Sequence, residues 1–465
     1  MQYVPNLSFM IKTIKHQISS NSRLYYDSEK MKKYQTNALK KTIDYAQKTK
    51  LYNDKFKKAG FKTEDIQNIE DIKRMPFVTK QDLRDYKTEE SLPKNFNIDK
   101  GFKVDTSGST GKPVSVYRDV NSLALEFALT TRPLKMYGLS PSKSKITNIG
   151  DFSIPNSYDE ECVINGFYSN LGFLSPYIMR NIQTIYAGLD IKTIMEKLDL
   201  FSPDYICAYP STLIGLMLLK KEGYGENLNP SYVASSGGVL DDYTKKQFEN
   251  AFDTKIFDLY AATESGTVGF ECPDGCYHVE SDLLYIEAVD KDMELVSPGE
   301  QGHIVVTRLY NGGTPFIRYT GMDDIITLAE GKCSCGWGTQ LLERVGGRSS
   351  DSIVLPDGRV FPPATFTLIP GEVSQDAGID IVKRFQIIQH KKDDIEIKIV
   401  INDKFRDSVD SINKILNEIK FRYQKLVGGK VNITIKEVDK ILGKDPSEGS
   451  LSSIVISHVD HKDWL

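Results

Sequence analysis

The sequence predicts an α/β protein with a large N-terminal domain followed by a small α+β lid domain, and three observations carry that prediction. From about Gly101 to Ile325, short apolar runs such as KITNIG, YICAYPS, YVASSGG and KIFDLYAATE alternate with amphipathic stretches such as Leu213 to Lys221. That is the pattern of strands and helices layered around a mostly parallel sheet. After Arg348 the pattern changes: RFQIIQH and IEIKIVI flank the polar turn Lys391 to Asp394. Phe405, Val409, Ile412, Leu416, Ile419, Tyr423 and Leu426 then recur at helical spacing before Gly428, and VNITIKEV follows, which reads as hairpin, helix and strand. Finally, 465 residues exceed one typical domain. The division is expected at 1–347 and 348–465, with 1–100 a largely helical lead-in. Within that lead-in, the Lys-rich stretch 28–60 carries apolar positions at helical spacing up to Gly60 and reads as surface helices.

A hydrophobic content of 40% and a charged content of 26% are ordinary for a soluble globular chain. With 59 basic and 63 acidic residues the net charge is -4, which argues against nucleic-acid binding through a broad basic face. The N-terminal stretch MQYVPNLSFMIKTIKHQISSN does not read as a signal peptide, and no apolar run approaches the ~20 residues that span a bilayer. A cytoplasmic protein without membrane or nucleic-acid partners is expected. Six cysteines in that compartment should be reduced, so clustered ones are candidate metal ligands.

The stretch VDTSGSTGKPVSVYRD places the hydroxyls of Thr106, Ser107, Ser109 and Thr110 among Gly108 and Gly111 and ends on Lys112. Backbone N–H groups, hydroxyls and one cation on a flexible loop suit an anion such as a nucleotide phosphate. It is not a Walker A loop, which needs Gly where Thr106 stands and Ser or Thr where Pro113 stands. Taken alone it also reads as a turn between two strands. Three of the apolar runs end in small or polar residues, and ligands of open α/β sheets are sought at such carboxyl ends.

Further motifs follow in order: SSGG (Ser235 to Gly238), YAATE (Tyr260 to Glu264), PFIRYTGMDD (Pro315 to Asp324) and VGGRSSD (Val345 to Asp351), with MPFVTKQDLRDY (Met75 to Tyr86) upstream. Together with TSGSTGKP they resemble the adenylate-forming superfamily, specifically its phenylacetate-CoA ligase branch, including members from capsule polysaccharide clusters. The resemblance implies the acyl-CoA synthetase-like fold and a carboxylate attacking the α-phosphate of ATP to give an acyl-adenylate and pyrophosphate. Two anions must meet, so charge neutralisation and positioning dominate the catalysis. The resemblance implies that Thr106 to Lys112 cradle the β- and γ-phosphates, Thr263 contacts the α-phosphate and Glu264 holds Mg²⁺. It also implies that Ser236, Gly237, Gly238, Tyr260 and Ala261 lie along the nucleotide, that Asp323 receives the ribose hydroxyls and that Arg348 stands nearby. GDFSIPNSYDE (Gly150 to Glu160) and AYPST (Ala208 to Thr212) are the expected acyl-pocket segments.

Departures from the family pattern are Ala261 for Gly, Met322 for Gly and Ser350 for the usual hinge Asp. More consequential, the C-terminal lysine that enters the active site during adenylation is matched by Ser450. Lys444 stands six residues earlier, at most ~20 Å along an extended chain, and is the candidate substitute. The alternatives are a substitute lysine, a slow enzyme and a non-catalytic nucleotide-binding protein. AMP transfer to a hydroxyl is a further alternative reaction, and the acceptor of a second step would be CoA or another thiol or amine.

ECPDGCYH and GKCSCGWG supply Cys272, Cys276, His278, Cys333 and Cys335 on two glycine-containing loops, soft ligands of the kind that hold structural zinc. The capsule-cluster relatives match Cys272, His278, Cys333 and Cys335, with Cys276 an extra thiol able to replace one of them. Scattered free thiols are the plain alternative. Cys162 and Cys207 stand alone and read as small buried hydrophobes.

Overall fold

The computed structural model describes residues 7–105, 114–140, 143–150, 181–348, 351–377, 381–406, 408–439, 441 and 454–459. The expected phosphate loop Thr106 to Lys112, most of the 150–160 acyl segment, Cys162, Ser350, Lys444 and Ser450 lie outside the described residues.

The lead-in is helical. Helices Leu7–Arg23, Ser28–Ala46 and Lys50–Ala59 precede short turns, and Gly60 ends the third in the left-handed region at φ 64°. These helices are more than surface cover, because Leu39, Ile43, Leu51, Tyr52 and Phe56 enter the main core. A hairpin of β1 (Phe102–Asp105) and β2 (Ser115–Arg118) brackets residues 106–113.

An eleven-stranded sheet follows. Its parallel half comprises β3 (Ile146–Gly150), β4 (Ile182–Tyr186), β5 (Tyr205–Ala208), β6 (Tyr232–Ser236) and β7 (Lys255–Ala262), which correspond to the apolar runs of the sequence. Helices Ile191–Phe201, Pro210–Lys221 and Asp242–Phe252 connect these strands and share one core with them. Asp190 and Asp241 cap two of those helices by accepting the amides of Lys192 and Thr244.

The sheet is only half parallel, where the sequence pattern suggested mostly parallel. The turn from β7 to β8 (Gly266–Glu271) holds only residues 263–265, far short of the dozen or so residues of a parallel crossover, so the chain must return antiparallel. β9 (Tyr277–Val279), β10 (Leu284–Val289), β11 (Gln301–Arg308), β12 (Asp324–Ala329) and β13 (Leu341–Arg348) continue antiparallel, in the spatial order β10-β11-β12-β13-β9-β8-β7-β6-β5-β3-β4.

The lead-in fastens the irregular segment 312–320 between β11 and β12. Tyr45 Oη accepts the Gly313 amide at 2.8 Å and donates to its carbonyl at 2.9 Å. Tyr52 Oη does the same for Ile317 N–H at 2.8 Å and the Pro315 carbonyl at 3.1 Å. Arg318, buried and at φ 45°, donates to Glu287 through Nε and Nη2 and to the carbonyls of Lys73 and Met75 through Nη1. Removing one partner of such a buried pair costs about 3–5 kcal/mol. Thus MPFV and PFIRY, distant in sequence, form one unit.

Beyond β13, β14 (Ile353–Val354) and β15 (Val360–Phe361) form a small hairpin, and β16 (Val382–Lys391) and β17 (Asp394–Ile401) form the hairpin expected from the sequence. β18 (Asn432–Glu437) joins β17 in parallel, and β19 (Val455–Ser457) joins β16. The helix Val409–Val427 covers this four-stranded sheet through Ile412, Ile415, Ile419, Tyr423 and Val427. A further helix, Pro363–Ala377, runs through Pro370. Proline there lacks the amide that would bond the Phe366 carbonyl, and Tyr423 Oη takes that carbonyl at 2.8 Å instead.

Candidate active site

The carboxyl ends of β6 and β7 lie side by side, with Ser236 paired to Leu259. Gly237 continues β6 at φ 78°, and a Cβ there would stand 2.7 Å from the Tyr209 ring, so only glycine fits both backbone and space. Val239 next approaches Gly347 of β13, whose added Cβ would lie 3.4 Å from Val239 Cγ2. β12 pairs with β13 so that Asp324 faces Arg348, and Tyr260 Oη of β7 donates to Asp324 Oδ2 at 2.6 Å. Three segments singled out in the sequence therefore converge: SSGG, YAATE and the hairpin that links GMDD to VGGR.

A register shift between Tyr260 and Ala261 sits just before the turn that carries Thr263 and Glu264. Such irregularities re-aim the residues that follow them. Glu264 is 7% exposed, and burial pushes its carboxyl up; Lys80 and Arg118 oppose the shift, whereas Asp324 adds to it. Its carboxylate makes no ion pair among the described residues. A buried acid without an ion-pair partner among the described residues, at the end of a parallel strand, is chemically suited to a hard cation.

Of the expected nucleotide residues, Ser236, Gly237, Gly238, Tyr260, Ala261, Thr263, Glu264, Asp323 and Arg348 are among those described. It is Asp324, the neighbour of the residue expected from the sequence, that takes the Tyr260 hydroxyl, while Asp323 keeps contacts of its own. Met322 is buried in the main core, so its side chain packs inward.

Sequence reasoning missed three charged residues here. Asp258, two residues before Tyr260, lines a cavity of about 380 Å³ beneath the SSGG loop together with Ser235, Val239, Lys245, Glu271 and Tyr277. Burial pushes the Asp258 carboxyl up to about 7. The cavity volume falls within the ~300–1,000 Å³ of small-molecule sites. Ser235 Oγ, Asp241 Oδ2 and Tyr277 Oη in its lining are buried without a hydrogen-bond partner among the described residues. Arg118 and Glu126 are the other two: Arg118 donates to the Thr263 carbonyl and, at 2.6 Å, to Glu126. The available signal was alternation, since Arg118 stands two residues after Val116 on the buried side of β2.

The cysteine and histidine set comes together where β8, β9 and the loop between β12 and β13 meet. The ligand atoms of Cys272, His278, Cys333 and Cys335 all lie within 4.8 Å of one another. Cys272 Sγ stands 3.6 Å from Cys333 Sγ, and Cys335 Sγ stands 3.3 Å from His278 Nε2. Tetrahedral zinc with Zn–S of about 2.3 Å and Zn–N of about 2.0 Å requires separations of about 3.5–3.8 Å, close to these. His278 Nδ1 bonds Thr339 Oγ1 at 2.8 Å, which orients Nε2 toward the thiols, and burial pulls the imidazole down to about 4. Cys276 is outside the group of four; its thiol contacts Cys333. Cys207 stands apart, and burial pushes its thiol up to about 11.

No family model matches the chain. In sequence it is similar to the phenylacetate-coenzyme A ligase of Thermus thermophilus, 24% identical over 449 residues that cover 90% of this chain and 95% of that protein. It is likewise similar to the Escherichia coli phenylacetate-coenzyme A ligase, 25% identical over 345 residues that cover 72% and 75%. In structure it matches 2-hydroxyisobutyryl-CoA ligase in the postadenylation state in complex with R3-HIB-AMP, with a TM-score of 0.77, 17% identity and coverage of 95% of this chain and 92% of that one. The fold is that of the adenylate-forming CoA ligases: a large mixed sheet layered with helices, followed by a small α+β unit. No helix among the described residues is long and apolar enough to cross a membrane.

Burial raises the Asp324 carboxyl and the Tyr260 hydroxyl bond opposes the shift by favouring the ionised form. A raised folded-state value means that the group's contribution to stability is full in acid and is lost as pH rises through that value. Tyr260→Phe is therefore expected to cost about 1–3 kcal/mol near neutral to alkaline pH and less in acid, where the carboxyl is protonated. Urea unfolding at both ends of the range reads this, and an equal loss at both would contradict it.

Proposed function

We propose that the protein activates a carboxylic acid by adenylation, consuming ATP and releasing pyrophosphate, and then passes the acyl group to CoA or another thiol or amine. The observation that carries this reading is Glu264, a buried carboxylate with no ion pair among the described residues, set beside the SSGG loop and the Asp324–Arg348 pair at the ends of β6 and β7. Sequence similarity to phenylacetate-CoA ligases and the structural likeness to a ligase bound to R3-HIB-AMP support it.

In this reading the chain divides near residue 348 into an AMP-binding domain and a lid. The adenine lies against Ser236 to Gly238 and Tyr260, with the Asp258 cavity beneath. Asp323 and Arg348 serve the ribose, and Thr106 to Lys112 receive the β- and γ-phosphates. Thr263 Oγ1 orients the α-phosphate. Glu264 holds Mg²⁺, which when bound neutralises phosphate charge as the carboxylate approaches. The acid itself is not specified by these residues. Lys444 supplies the cation that Ser450 does not. The cluster of Cys272, His278, Cys333 and Cys335 holds structural zinc, bracing the β8–β9 loop against the β12–β13 loop behind the site.

Exchange of labelled pyrophosphate into ATP, scanned over a panel of carboxylic acids, is expected to reveal at least one substrate. Glu264→Gln should slow that exchange by about a hundredfold or more, which is about 2.7 kcal/mol of transition-state stabilisation. Lys444→Ala should abolish exchange while ATP still binds. ATP binding with no exchange for any acid would favour the non-catalytic alternative, and AMP attached to a hydroxyl compound would favour the other.

Metal analysis of the purified protein should find about one zinc per chain, and Cys335→Ser should lose it together with thermal stability. Wild type that carries no zinc as purified, or whose melting temperature is unchanged when a chelator strips the metal, would rule zinc out.

A further inference from the structure

We propose that Arg118 and Glu126 are positioning residues that fix the turn bearing Thr263 and Glu264, and so set the magnesium dependence of ATP binding; the inference rests on the adenylation reading above. Arg118 belongs to β2 and Glu126 to the helix Val120–Leu129, far from the turn in sequence. The Arg118 guanidinium is buried, and its two arms reach different partners: Nη2 donates to the Thr263 carbonyl and Nε to Glu126 Oε2 at 2.6 Å. The other carboxylate oxygen, Oε1, accepts from Arg308 Nη2 at 3.2 Å and from Tyr310 Oη at 2.8 Å. Tyr310 Oη also stands 3.4 Å from the Ser265 carbonyl. The peptide carbonyls on either side of Glu264 therefore face one network, which grips the backbone and leaves the Glu264 side chain directed by its own turn.

Glu126 is itself held from two sides, by Arg118 through Nε and by Arg308 through Nη2, so the carboxylate that anchors Arg118 has little freedom to move. Gly266, at φ 73°, closes the turn, and a Cβ there would meet Glu126 Cδ at 3.4 Å, so the glutamate packs directly under the turn that it steadies. The two-armed contact needs a planar fork. Lysine keeps the charge but, as a single point donor, cannot hold Glu126 and the Thr263 carbonyl in the same geometry.

The experiment titrates ATP and, separately, adenosine into full-length wild type, Arg118→Lys and Glu126→Gln by calorimetry, with chelator and over a series of free Mg²⁺ concentrations. In wild type, Mg²⁺ should strengthen ATP binding. In both variants that gain should shrink about tenfold while adenosine affinity stays within about twofold, the adenosine arm reporting an intact fold. A gain equal to that of wild type overturns the inference alone. Loss of adenosine and ATP together assigns the network a merely structural role and also overturns it. Wild type that binds neither nucleotide overturns the adenylation reading, and this inference falls with it.

Discussion

Three residues join the last parallel strand to the first antiparallel one, and the organisation of the site follows from that short connection. With no room for a crossover, β8 must return beside β7, which leaves Thr263 and Glu264 on a tight turn at the carboxyl end of the parallel half. A carboxylate there is buried by the strands around it and pays the desolvation penalty of an unpaired charge. Lys80 and Arg118 offset part of that cost, and in the proposed reading the cation of a bound nucleotide would offset the rest.

The same economy governs the segments around the turn. Residues 312–320 are irregular yet buried, and beyond the bonds to Tyr117 of β2 and to Val306 and Arg308 of β11 their remaining amides and carbonyls need partners from elsewhere. Tyr45 and Tyr52 provide them from the helical lead-in, and Arg318 locks the segment to Lys73 and Met75. The lead-in thereby acts on the site at one remove, because 312–320 leads directly to Asp323 and Asp324. On the other flank, the cysteine and histidine cluster ties the loop after β8 to the loop before β13. β13 in turn delivers Arg348 opposite Asp324.

Much of this was legible in the sequence wherever a residue type is rare outside its role. Short apolar runs ending in SSGG and AATE marked β6 and β7 and the place where they stop, and two pairs of soft ligands on glycine loops marked one spatial cluster. The antiparallel half was not legible as such, since strand periodicity says nothing about direction and only the length of the 263–265 turn does. Helix Pro363–Ala377 was hidden by Pro370, because a proline reads as a stop unless a partner such as Tyr423 elsewhere in the chain takes the orphaned carbonyl. Asp258, Arg118 and Glu126 were hidden for a different reason. Charged residues are mostly exposed, so a buried one cannot be told from a surface one until its partners are placed.

In the proposed reading the β7–β8 turn takes up the metal of a nucleoside triphosphate whose base rests on the glycine loop after β6. Anomalous diffraction from crystals soaked with ATP and Mn²⁺ tests it directly. The account predicts a manganese peak against the Glu264 carboxylate, with the adenine beside Gly237 and the ribose toward Asp323. A metal bound away from Glu264, or a nucleotide lodged elsewhere on the chain, would contradict it.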